Sequence, residues 1–441
     1  MTFFLLAITI IGIIIFTAIW KFHPLPVLLA GAFFFGIGNN NGVAETLNMI
    51  NTGFGNTMKS IGLIIIAGTI IGAFMDKRGA LTIIAEKIIA LIGKKRTPLA
   101  MAIIGYIVSI CIFCDSAFII LIGLWKKIGK LAKIPLAIGA TALSMGLFAS
   151  HCFIPPTPGP LAALSILGAD FGYVLLFGSI AAIGATGAGY FYSCIVGKKE
   201  LLCENNSSIN ENKNTVFNKH WSSAFLPIAV PLLLIGLNSI ISINKDDLPN
   251  LLVKTISFLG TPLIALSIGA IIAIFFIGKP AKKELGVDGL IGKAIVDGAN
   301  ILVITAGGGA FGEVLKNVDF SSVLPERVEN LGIFSLLIPL GVAAIIKIAQ
   351  GSSTLAILTA ASVTAPLLEP LGLTTPILKS LSCCAVCCGG MIFSHTNDSY
   401  FWVVTKFSDM SVKQGLKLQS GGTLFSGLAA MVIILILAVI F

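Results

Sequence analysis

The sequence predicts an all-α polytopic membrane protein, built from two inverted repeats that each hold about five crossings and a re-entrant hairpin. Three observations carry this. The 441 residues are 56% hydrophobic and only 11% charged, whereas soluble domains average about 25% charged residues. Within that apolar background, CIFCDSAFII (111–120) and KIAQGSSTLAILTAASVTAP (347–366) carry an acid, a lysine, a glutamine and a run of hydroxyls. Hydrocarbon cannot hydrogen-bond such groups, so they persist at membrane depth only when they face protein, water or a ligand. One such stretch lies in each half, the pattern that marks a transporter site at the bilayer midplane. Finally, the basic residues cluster in short segments between apolar spans. The net charge of +9 therefore reflects positive-inside topology rather than nucleic-acid binding.

A span takes about 20 apolar residues. Residues 2–20 and 24–38 read as the first two, joined by a turn that holds Lys21 and His23. The first lacks a charged leader region and a small-residue cleavage site, so it reads as a transmembrane helix and not a signal peptide. A polar loop is expected at 39–57 and a third span at 60–75. Residues 76–96 mix apolar positions with Lys77, Arg78, Lys87, Lys94, Lys95 and Arg96, as a helix lying along the membrane surface does. The hairpin near 98–125 is broken at Cys114-Asp115-Ser116, and both its ends are basic, which lets it enter and leave on one side. Residues 134–150 then cross until the prolines at 155, 156, 158 and 160 stop the helix. Residues 172–196 cross back.

Residues 198–221, rich in Asn, Lys, Glu and Ser, read as a cytoplasmic linker. They separate a first repeat at 1–197 from a second at 222–441. In the second, 222–243, 255–277 and 290–311 read as spans and 317–329 as a polar surface segment. A second hairpin, near 331–366, is split at Gln350-Gly351-Ser352. Residues 371–392 cross, FSHTNDS (393–399) interrupts, and 422–441 form the last span. With the N-terminus outside, most Lys and Arg fall on the cytoplasmic side and each half crosses an odd number of times. The hairpins then enter from opposite faces, with their tips meeting at the midplane.

The ionisable groups inside these segments are Asp115, His151, Glu313, Lys347, His395 and Asp398, each costing about 3 kcal/mol at the bilayer centre unless paired or hydrated. Asp115 suits proton coupling, because desolvation favours its neutral form; the competing role is a helix N-cap. Gln350, Gly351, Ser352, Ser353 and Thr354 put a glycine and three hydroxyls at a helix start. Free N–H groups and the dipole there attract an anion, and Gly351 lets the backbone approach a ligand closely. Ser/Thr packing between helices is the alternative. Lys347, about one turn earlier, can pair with a substrate carboxylate, snorkel to the interface or bridge to an acid such as Asp115. His395 and Asp398 stand at i and i+3 in a polar break, fitting a proton relay, a substrate-hydroxyl contact or a capping network. His151 holds the analogous place in the first half. AGGGA (306–310) lacks the Gly-Lys-Ser/Thr of a phosphate loop and reads as a close helix crossing or an unwound bend. Cys111, Cys114 and the cluster Cys383, Cys384, Cys387 and Cys388 lie in apolar helices without a nearby cluster of His or acidic ligands. They read as packing residues, and no metal site is assigned.

Six stretches match a known family in its order and over nearly the whole chain. They are GFGNTMKSIGLIIIAGTIIGAFMDKRGA (53–80), CDSAFIILIGL (114–124), SHCFIPPTPGPLAAL (150–164), TAGGGAFGEVLKN (305–317), KIAQGSSTLAILTAA (347–361) and FSHTNDSYFWVVTKF (393–407). The chain resembles the gluconate permease family, the gluconate:proton symporters, within the wider group of ion transporters built from inverted repeats. The resemblance implies a secondary carrier, not an enzyme. It would import gluconate or a related small hydroxy acid across the bacterial cytoplasmic (inner) membrane, with H+ as coupling ion and no other cofactor. Its partners would be a small anionic substrate and the lipid bilayer, with a homo-oligomer such as a dimer left open. Together with Lys347, the implied substrate contacts are Ser116, His151, Gln350, Gly351, Ser352, Ser353, Thr354, His395, Thr396 and Asn397. Proton coupling falls to Asp115, His395 and Asp398. Three positions depart from the family, in which Arg is common at Lys347, His at Thr157, and Gly or Ala at Tyr400. An ammonium is a less exacting carboxylate partner than a guanidinium, and Tyr400 would reshape the pocket. Glycerate and D-serine, which members of the family also take, therefore stay open beside gluconate.

Three other readings compete. A sodium-coupled carrier for another small organic or amino acid is the main alternative, since hairpin hydroxyls and carbonyls also coordinate Na+. An intramembrane hydrolase would need a nucleophile–base pair, and Ser394-His395 come without a GxSxG or HExxH motif. A passive channel has no use for paired hairpins.

Overall fold

The computed structural model describes residues 2–93, 96–110, 112–132, 134–199, 221–243, 249–277, 280–317 and 326–441. Cys111, Lys94, Lys95, Lys133, the linker from 200 to 220 and the segment 318–325 lie outside the described residues. Among those described, every regular element is helical. This follows from the composition, because a lipid-embedded segment must satisfy its backbone N–H and C=O groups internally. Six helices are long and apolar enough to cross a membrane: Val43–Lys77, Leu136–Leu167, Phe171–Val196, Lys282–Lys316, Leu331–Gln350 and Val412–Ile440. Shorter apolar helices, among them Pro24–Gly38, Thr97–Val108 and Pro376–Met391, complete the bundle.

Two expected segments differ from what is found. The polar loop expected at 39–57 is helical, the start of an unbroken 35-residue helix, Val43–Lys77. Thr46, Ile50, Gly53 and Thr57 are buried at helical spacing, while Glu45, Asn48 and Asn51 face outward; the segment is amphipathic rather than irregular. At about 1.5 Å per residue the helix runs roughly 50 Å, more than the ~30 Å hydrocarbon layer, so its polar first turns extend beyond the apolar zone. The span expected at 255–277 is two helices, Asn250–Leu259 and Pro262–Phe275, bent by 63°. Pro262 has no N–H to donate and its ring blocks the carbonyl four residues back.

The longest helices, Val43–Lys77 and Leu290–Lys316, pack against each other along their length. A Cβ on Gly53 would lie 2.5 Å from the Gly309 carbonyl oxygen, so the AGGGA stretch is a close crossing within a continuous helix, not an unwound bend.

One succession of elements occurs twice. Thr97–Val108 and Cys114–Ala132 are followed by Leu136–Phe153, a break, Pro158–Leu167 and Phe171–Val196. Later, Leu337–Gln350 and Ser353–Thr364 are followed by Pro376–Met391, a break, Ser399–Phe407 and Gly421–Ile440. In both cases the first helix packs on the one that precedes the break. The two breaks and the two elbows are where the buried polar residues gather.

Candidate functional site

Leu337–Gln350 ends because Gly351 turns left-handed, at φ +82°, a conformation open to glycine at little steric cost. The hydroxyl of Ser352 then accepts the Leu355 N–H at 3.4 Å and caps the next helix, Ser353–Thr364. The chain stops one helix and starts another within two residues. A Cβ on Gly351 would overlap the carbonyl oxygen of Asn397, so the break at 392–398 lies directly against this elbow.

At the centre stands an ion pair. Lys347 is fully buried, and its Nζ lies 2.6 Å from Asp398 Oδ2. The ammonium also donates to the Gly351 carbonyl and sits 5.6 Å from the centroid of the Phe148 ring. Its three N–H donors are thus matched by a carboxylate, a carbonyl and an aromatic face. Asp398 is equally occupied: Oδ2 accepts from the Ser394 hydroxyl as well, and Oδ1 accepts the Tyr400 N–H at 3.0 Å. The second contact caps Ser399–Phe407. Such saturation is what lets two charges persist away from water.

The break is pinned from both sides. His395 Nε2 lies 2.9 Å from the Ile348 carbonyl oxygen. Asn397 Nδ2 donates to the Ile348 and Ala349 carbonyls at 2.7 and 3.2 Å. These are carbonyls that the end of a helix leaves without intrahelical partners. Opposite, the Ser394 N–H donates to Thr423 Oγ1 at 3.0 Å, and the Ser420 hydroxyl donates to the Ser394 carbonyl.

The first half reaches the same centre. Asp115 stands half-buried in the first turn of Cys114–Ala132, with the Cys114 thiol 3.6 Å away. His151 is buried in the last turn of Leu136–Phe153, its ring 6.2 Å from that of Phe113. Both lie within electrostatic reach of Lys347 and Asp398. The Cys152 side chain lies near Ser353, and Ser353–Thr364 packs on Pro158–Leu167, linking the first break to the second elbow. A cavity of about 30 Å³ separates Ile110, Ile112 and Phe113 from Pro156, Thr157 and Pro158.

The expected residues therefore divide. Lys347, Gly351 and Asp398 form the centre, His395 and Asn397 brace it, and Asp115 and His151 stand within reach. Ser352 is a cap and Ser353 meets Cys152. Gln350 turns away, donating to Thr17 Oγ1 at 3.1 Å. The side chains of Ser116, Thr354 and Thr396 make no hydrogen bond among the described residues, and Ser116 and Thr396 are exposed. Two expectations are corrected. Lys347 does not snorkel; it bridges to an acid as one reading had it, but the acid is Asp398 and not Asp115. His395 and Asp398 do not share a face, because 392–398 is not helical: one side chain points to Ile348 and the other to Lys347.

Sequence reasoning missed the surrounding shell. The Tyr400 hydroxyl lies 3.2 Å from both Ser144 Oγ and the Ser144 carbonyl, and Ser144 Oγ donates to Gln419 Oε1 at 2.7 Å. Gln419 and Ser420 belong to a π-helical turn, Leu416–Ser420, and Thr17 to another, Ile15–Ile19. Such widened turns recur at functional sites. The available signal was the polar pair Gln419-Ser420 at the start of an otherwise apolar last span.

The sequence profile described as GntP family permease matches residues 1–440. An uncharacterized permease of Haemophilus influenzae is 33% identical over 423 residues, 91% of this chain and 86% of that one. A gluconate permease of Pseudomonas aeruginosa is 28% identical over 445 residues, 98% and 96% of the two chains. A D-serine transporter of Escherichia coli is 27% identical over 446 residues, 97% and 96%. Among solved structures, the YdaH transporter of Alcanivorax borkumensis, described as having an unusual topology, aligns with a TM-score of 0.59. It shares 16% identity over 89% of each chain, a likeness of fold.

Proposed function

The chain belongs to the GntP family of permeases, and from that premise we propose that it imports a small hydroxy-carboxylate, of the class that runs from glycerate to gluconate, together with a proton across the bacterial inner membrane. The observation that carries this is the Lys347–Asp398 pair, 2.6 Å apart and out of solvent, where an elbow meets a break. All three donors of Lys347 are engaged, so a substrate carboxylate gains the ammonium by displacing Asp398. A buried carboxylate that loses its partner is destabilised by several kcal/mol, and taking up a proton relieves it. One anion and one proton enter together, and the buried charge is the same before and after. The cycle is therefore electroneutral for a monoanion. Asp115 and His151, within electrostatic reach of the pair, are the groups to which this reading assigns passage of the proton, and the N-terminus of Ser353–Thr364 adds its dipole to the anion's side.

The recurring succession of elements, with the same packing in each half, supports reading 1–197 and 222–441 as inverted repeats with hairpins entering from opposite faces. Loading would shift the population between inward- and outward-facing states. A second reading, sodium-coupled uptake of a D-serine-like amino acid, is favoured by the carbonyls of Ile348, Ala349 and Gly351 and the hydroxyls beside them.

Uptake of labelled gluconate and glycerate into proteoliposomes separates the two. Proton symport requires accumulation in sodium-free buffer when the outside is acid, with no response to an imposed membrane potential, and its loss in D398N. Sodium-dependent uptake that ignores the pH gradient overturns the first reading in favour of the second.

A further inference from the structure

We infer that Tyr400 sets the upper length of the substrate, confining the site to short 2-hydroxy or 2-amino acids and turning away six-carbon sugar acids. The inference rests on the carboxylate role proposed for Lys347. Tyr400 is 2% exposed and stands two residues from Asp398. Its ring stacks on Phe148 at 5.0 Å and 21°, and Phe148 is the ring that faces the Lys347 ammonium. Phe118 closes the other side edge-on at 6.2 Å. Phe118 follows Asp115 by three residues on one helix and so shares its face, which sets the phenol against the helix that carries the first-half acid.

The ring is held at both ends. Its own N–H is fixed by Asp398, and its hydroxyl by Ser144, which Gln419 holds in turn. Swinging it aside would leave buried polar groups without partners, a penalty that a substrate's tail would have to offset. The wall is also chemically unsuited to a polyol, since hydroxyls pressed on aromatic faces lose their hydrogen bonds to water.

The elbow shows the complementary preference. Asn397 Oδ1, in the break that lies against Gly351, is buried with no partner among the described residues. It is an acceptor, so it calls for a donor close to the elbow. A hydroxyl or ammonium on the adjacent carbon supplies one, and a long tail does not.

The test is counterflow in proteoliposomes with glycerate, D-serine and gluconate on the wild type, Y400F and Y400A. The wild type is expected to favour the best short acid over gluconate by about tenfold or more, the scale on which a pocket discriminates by fit. Y400F keeps the wall and should keep that ranking; Y400A should raise gluconate relative to the short acids about tenfold. If Y400A does not fold, Tyr400→Leu must show the gain. Equal handling of gluconate and short acids by the wild type, an unchanged ranking in the folded truncation, or a relaxed ranking in Y400F overturns the inference. Those outcomes leave the carrier reading intact. Absence of all counterflow in the wild type, or full exchange by K347M, instead overturns the carboxylate role itself.

Discussion

Replacing Asp398 with asparagine keeps the side chain's shape and an acceptor for the Tyr400 N–H, yet strands the charge of Lys347, which is fully buried. Removing one partner of a buried ion pair costs about 3–5 kcal/mol. The Gly351 carbonyl and the Phe148 ring still face the ammonium, so the lower end, about 3 kcal/mol, applies. At about 1.4 kcal/mol per factor of ten, that is a shift of roughly a hundredfold away from the state that holds Lys347 inside. In detergent, D398N should therefore unfold several degrees below the wild type. The double variant K347M/D398N, with no charge left unpaired, should recover most of the loss. In proteoliposomes D398N should not accumulate substrate under a pH gradient, because the group that takes the proton is gone. A D398N protein with wild-type melting and wild-type pH-driven uptake would refute the reasoning. A double variant less stable than both singles would do the same for the energetic half of it.

Gly351→Ala should abolish transport and lower the melting temperature. Its φ of +82° disfavours a side chain by about 1–2 kcal/mol, and the added methyl would overlap Asn397. Gly309→Val should separate the two longest helices, since even a Cβ there would overlap Thr57 Oγ1; size-exclusion profiles and yield report it. Cys114–Ala132 and Ser399–Phe407 both lead from the site toward the Lys126–Asp409 pair, 2.6 Å apart and about a quarter exposed. K126E or D409K should lose only about 0.2–1 kcal/mol of stability. Their effect should show instead as slower, less salt-sensitive transport, restored in the double charge swap.

How far the sequence could be read depended on the range of the signal. The elbow at Gln350-Gly351-Ser352 was legible because a left-handed glycine followed by a capping serine is a signature spanning a few residues, and the prolines at 155–160 act as locally. The mistake at 39–57 came from weighing polarity over period, although the buried stripe at Thr46, Ile50, Gly53 and Thr57 was present in the residues. The shell of Ser144, Phe148 and Gln419 was out of reach, since each looks like ordinary packing until Tyr400 is laid against it.

The residues alone determined that this is a helical membrane permease with two polar interruptions in its apolar segments, because apolar length, broken helices and unpaired polar groups obey rules that act within one segment. Which acid neutralises Lys347 was decided only by the tertiary structure. The sequence offered Asp115 as an example, and the pairing with Asp398 instead follows from how two helix breaks, whose paired residues are 51 positions apart, come to rest against one another. In a medium that offers no water, the partner that completes every donor and acceptor prevails, and no local pattern encodes that completeness.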